Sequence, residues 1–100
     1  MQHVLKCDSE LFGMVQSRQK TAEIRINDRG YSLGDTLLLK EWIVDDENPK
    51  GGLFTGNAHE TAPITHITEG GKYGIEEGYV LLSWYGQRHR ICPSCQIKID

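Results

Sequence analysis

Between Asp8 and Asn27 the apolar residues change their spacing once, and that change makes a helix hand over directly to a strand. Leu11, Phe12, Met14 and Val15 recur at helical intervals, giving one apolar stripe over roughly two and a half turns. Asp8 or Ser9 stands just before it, where a short oxygen-bearing side chain can accept from the orphan amides of the first turn. The helix is expected to end near Ser17, and Arg18 holds the exit position where glycine is usual. From Thr21 the period becomes two. Ala22, Ile24 and Ile26 face one way, while Thr21, Glu23, Arg25 and Asn27 face the other. Glu23, Arg25 and Asn27 therefore share a strand face, with Lys20 just upstream at the helix-to-strand turn.

The rest of the chain is richer in strand signals than in helical ones. "HVLKC", His3 to Cys7, alternates and suits a short first strand. "NDRGYSLGD" is a turn-rich connection, and "TLLLKEWIV" reads as a strand with apolar residues on both faces. The acidic segment "DDENPKGGLFTGNAHET" is expected to be the longest irregular stretch. "APITHIT" and "YVLLSWY" are strands separated by the glycine-rich "EGGKYGIEEG", and "QIKI" is a short strand near the end. Trp42, Trp84 and Tyr85 are expected in the core or at its edge. One hundred residues support one modest core and not two, so residues 1–100 are read as one domain. One helix with five or six strands gives an α+β domain on a curled sheet or partly open barrel.

Charge narrows the function classes. The net charge of −3 excludes a protein that is basic overall. Residues 1–40 nevertheless carry six basic and five acidic groups, against two and eight in residues 41–80. Residues 81–100 carry three basic groups and one acidic, so the acidic middle masks two roughly neutral-to-basic ends, and a local basic groove can form. No run approaches the ~20 apolar residues needed to cross a bilayer, and "MQHVLKCDSE" has no apolar signal core. The expectation is a cytoplasmic protein with no membrane partner.

Several side chains can carry chemistry. An ammonium at Lys20 and a guanidinium at Arg25 offer donors to phosphate or to a base edge, and Glu23 can orient them or accept from an exocyclic amine. Asn27, Asp28 and Arg29 form a dense polar turn; Asp28 suits backbone capping, and Arg29 can face a cleft or pair with Asp35 or Glu41. Lys20-Thr21 is no P-loop, because the glycine spacing and the following helix are absent. Tyr73, on a glycine-rich loop, could stack on a base. Cys92-Pro-Ser-Cys95 supplies half of a tetrahedral structural zinc site, with Cys7 or His89 as candidate further ligands.

The elements His3-x-Leu5-Lys6, Lys20-Thr21-x-Glu23-Ile24-Arg25-x-Asn27-Asp28-Arg29 and Gly34-Asp35-x-Leu37-x-Leu39-x-Glu41-Trp42, closed by "GYVLL" from Gly78 to Leu82, form an ordered series. It resembles the small ASCH-related domains of the PUA-like superfamily, and within them a family of short bacterial and phage proteins of unknown function. The resemblance covers residues 1–85 and leaves 86–100 as an unmatched C-terminal extension. It implies a single PUA-like β-barrel of five to six strands with one main helix packed at its mouth. It also implies a cleft that meets RNA or a modified nucleotide. In that cleft, floored by Glu23, Arg25 and Asn27 with Lys20 and Arg29 at the rim, Lys20 and Arg25 would hold phosphate and Asn27 and Glu23 would read polar edges. A second expectation is a small amidohydrolase of acylated nucleosides, using Lys20, Thr21 and Glu23. A lysine base must shed its proton, which desolvation or a neighbouring cation favours and a neighbouring carboxylate opposes. A third is a phage or mobile-element interaction module whose acidic segment, Asp45 to Glu60, meets a basic host protein.

Overall fold

The computed structural model describes residues 1–86, 90–91 and 98–99. Its elements run β1 (Gln2–Asp8), α1 (Ser9–Gln16), β2 (Ala22–Ile26), β3 (Thr36–Asp45), β4 (Asn48–Glu60), β5 (Ile64–Glu69) and β6 (Tyr79–Trp84). Two-residue strands β7 (Arg90–Ile91) and β8 (Lys98–Ile99) pair with each other. β1, β3 and β4 form one sheet in that order, with β1 parallel to β3 and β4 antiparallel to it. β2, β6 and β5 form a second, antiparallel sheet.

The helix forms where the spacing places it. Asp8 caps it by accepting from the Glu10 amide at 3.0 Å, and Phe12 and Val15 are its buried residues. At the exit, the Arg18 amide donates to the Val15 carbonyl at 3.1 Å and the Gln19 amide to the Met14 carbonyl at 2.9 Å. This is the Schellman pattern, and Arg18 takes the left-handed conformation (φ 70°) that it requires. A side chain there costs about 1–2 kcal/mol. Arg18→Gly is therefore expected to stabilise the protein by about 0.5–1 kcal/mol, the gain being offset in part by the freer unfolded glycine. Urea denaturation checks this.

The core lies between the two sheets and under α1. Alternate residues of β1 and β3, among them Leu5, Cys7, Leu37 and Leu39, meet Ile64, Val80, Leu82 and Trp84 from the second sheet. Each fully buried leucine contributes on the order of 1.5–3 kcal/mol. Asp35 ties the turn before β3 to the start of β1. Its carboxylate shares a hydrogen bond with buried His3 Nε2 at 2.8 Å and accepts from the Ser32 amide and the Met1 ammonium. Those contacts, His3 first, hold its carboxyl down at about 2.

Three expectations require correction. The expected α+β barrel of five to six strands with a main helix at its mouth does not form. The described chain is mostly β, with one eight-residue helix, two three-stranded sheets besides the β7–β8 pair, and no closed barrel. The physical reason lies at β1 and β2, which are both sheet edges. No strand ladder joins them; the side chains of Arg25 and Arg29 donate instead to the Lys6 and Val4 carbonyls of β1. Arginine reach replaces closure. Second, the acidic stretch from Asp45 is no loop: Asp46 and Glu47 make a tight turn, and β4 runs back along β3 for 13 residues. Third, of the three aromatics expected in the core or at its edge, Tyr85 departs, while Trp84 is buried. Trp42 is half-buried and Tyr85 exposed.

Candidate functional site

β2 turns its charged side inward. Glu23 is buried while Ile24 and Ile26 are more than half exposed. A buried carboxylate needs partners, and Glu23 has two: Lys20 Nζ, which also contacts the Ala22 carbonyl, and Arg25, whose Nε donates at 3.1 Å. The Lys20 and Arg25 side chains keep about a quarter of their surface exposed, at 27% and 25%, against 9% for Glu23. Cys7 lies in the core beside this cluster. Burial, and then the Glu23 charge, push its thiol above the usual range, which disfavours a reactive thiolate.

From this anchor Arg25 crosses to the Lys6 carbonyl, and Arg29 Nη1 reaches the Val4 carbonyl at 2.9 Å. The two guanidiniums partition the gap between the sheets. On one side is a cavity of about 310 Å³ against Ile24, Ile26, Tyr31 and Tyr79. On the other is a cavity of about 330 Å³ where Arg25 and Arg29 meet Lys6, Lys40 and the ring of Phe54 over Val4 and Leu5. Four cations and no carboxylate line that second space. Lys6 and Lys40 are register partners across β1 and β3, so both project from the outer face of the sheet. Lys6 Nζ lies 3.9 Å from the Trp42 ring centroid, and Trp42 meets Phe54 edge-to-face at 4.7 Å.

The structure thus brings Lys20, Glu23 and Arg25 together and sets Arg29 beside Arg25. Asn27 and Tyr73 stand elsewhere, on a third cavity of about 510 Å³ with Tyr31 and β5. Tyr73 is 83% exposed. Thr21 spends its carbonyl on the Trp84 amide at 3.1 Å. His89, Cys92 and Cys95 lie outside the described residues, and among the described residues no group of three or more His, Cys, Asp or Glu could hold a metal ion. Sequence reasoning missed Lys6, Lys40 and Phe54. Alternation puts each lysine opposite a buried neighbour, Leu5 or Leu39, which is a signal for an outward face. Their meeting depends on the parallel β1–β3 register, which no local pattern contains.

Comparison with known proteins places this chain within a recognised family. A family described as a domain of unknown function, DUF3850, matches residues 2–84, which hold every element from β1 to β6 and all the residues of the cluster. A protein of Escherichia phage P2, named "Uncharacterized 12.9 kDa protein in GpA 3'region", is 40% identical over 80 residues, or 80% of this chain. The alignment takes in 64% of that protein, so the chain spans less than two thirds of its relative's length. Among the described residues no helix is long and apolar enough to cross a membrane.

Proposed function

The chain belongs to the DUF3850 family, and we propose that it binds RNA or a nucleotide through the cationic cavity between β1 and β2. The observation that carries this reading is the convergence of Lys6, Arg25, Arg29 and Lys40 on one space free of carboxylates, in a chain whose net charge is −3. Local charge of that kind recruits phosphate, and guanidiniums suit it in particular because their planar donors match its oxygens. Glu23, itself paired with Lys20, and the Lys6 carbonyl hold Arg25 in place, so the guanidinium is set before the ligand arrives. The likeness of the Lys20–Arg29 run to ASCH-related domains supports the same ligand class. Lys20 Nζ is taken up by the Glu23 carboxylate and the Ala22 carbonyl. As a hydrolytic base it would first have to leave both, so binding without turnover is the better supported reading.

Arg25 and Arg29 also hold the β1 edge, so the informative substitutions are the two outward lysines. In fluorescence-anisotropy titrations with labelled single-stranded RNA, Lys6→Ala and Lys40→Ala are each expected to weaken binding roughly fivefold, the loss of one partly exposed phosphate contact. Wild-type affinity in both variants would contradict the assignment.

A further inference from the structure

Phe54 stands at the centre of the basic face, and its surroundings say more about the ligand. Its ring is about half exposed. It lines the cationic cavity and also, again with Lys40, a cavity of about 150 Å³ against Gly56, Asn57 and Ala58. We infer that Phe54 is a stacking blade for unpaired bases, so that the ligand is single-stranded and its phosphates lie along Lys6, Lys40, Arg25 and Arg29. This rests on the nucleic-acid reading above and narrows it.

Three features fix the ring. Lys40 pairs with Ala58 and Trp42 with Phe54, so Thr55, Gly56 and Asn57 together oppose Glu41 in a β-bulge. Such bulges re-aim a strand's side chains. The Glu41 carboxylate latches this one by accepting from the Thr55 hydroxyl at 2.7 Å and the Asn57 side-chain Nδ2 at 2.9 Å. Trp42 buttresses Phe54 at an interplanar angle of 71°. The indole itself is seated on Gly52, where a Cβ would lie 2.6 Å from the ring. A buttressed aromatic that is about half exposed, lines two cavities and has the Lys40 ammonium 5.8 Å from its centroid suits bases whose faces are free. In a duplex those faces are covered by neighbouring pairs, whereas every unpaired base offers one.

The test is an anisotropy titration of the full chain with a labelled short single-stranded RNA, the same sequence as single-stranded DNA, the RNA duplex, and poly-glutamate as a competitor. The single strands are expected to bind at least tenfold tighter than the duplex, and poly-glutamate to compete poorly. Phe54→Ala should remove roughly tenfold in single-strand affinity and with it the preference, while Phe54→Trp retains both. Phe54→Leu keeps apolar volume against Trp42 without a π face, so it should behave as Phe54→Ala. Equal binding of the duplex overturns the stacking blade, as does full single-strand affinity in Phe54→Leu. If Lys40→Ala still weakens binding in either case, the phosphate reading stands without it. Poly-glutamate competing as well as RNA would assign the face to an acidic peptide and overturn the proposal. No binding of any nucleic acid by the wild type overturns both readings together.

Discussion

Glu23→Ala is expected to lower the stability of the protein by about 2–3 kcal/mol. Removing one partner of a buried ion pair typically costs about 3–5 kcal/mol, because the opposite charge is stranded in low dielectric. Here the stranded groups are Lys20 and Arg25, each about a quarter exposed, and water recovers part of that cost. Glu23→Gln keeps the shape and one acceptor oxygen, so its loss should be about half as large. A cluster on an ordinary solvated strand face would cost at most about 1 kcal/mol on the same change. Urea titration separates the two, with an unchanged slope confirming that stability alone has moved.

Gly70→Ala is expected to cost about 3 kcal/mol or more. A Cβ at this position would lie 2.0 Å from the Glu76 carbonyl oxygen and 2.7 Å from that of Tyr79. Both obstacles are backbone, so no side-chain rotation relieves them. The Gly70 amide also donates to the Tyr79 carbonyl at 2.8 Å, which locks the β5–β6 connection onto the strand end. Insertion into a packed site usually costs about 1–3 kcal/mol, and displaced backbone belongs at the upper limit. The β5–β6 ladder should loosen with it, read as faster amide exchange at Thr68 and Val80. A melting temperature like that of wild type would mean that the loop takes another course.

The sequence carried the local elements well and their assembly poorly, for physical reasons visible at particular residues. The stripe from Leu11 to Val15 and the oxygen of Asp8 were enough for α1, since helix formation is a local matter. Strict alternation placed β2 and put Glu23 and Arg25 on one face. Alternation has no sign, however, and could not tell that the charged face points inward while Ile24 and Ile26 point out. That choice was made by β1, whose edge carbonyls at Val4 and Lys6 require donors. β4 was hidden by its composition. Glycines, a proline and acidic residues argue for a loop, yet an edge strand with a bulge tolerates all of them. Phe54 was hidden for the same reason, and the meeting of Lys40 with Lys6 because it depends on the β1–β3 register. Asn27 was read as part of the strand face, but β2 ends at Ile26 and the Asn27 amide turns to the Gly78 carbonyl.

The salt dependence of RNA binding tests the central claim most directly. About four phosphate contacts to a single strand predict that log K falls against log salt with a slope of roughly −3. The Lys6→Ala/Lys40→Ala double variant should flatten it to roughly −1.5. A wild-type slope near zero, or one that the double variant leaves unchanged, would contradict the account.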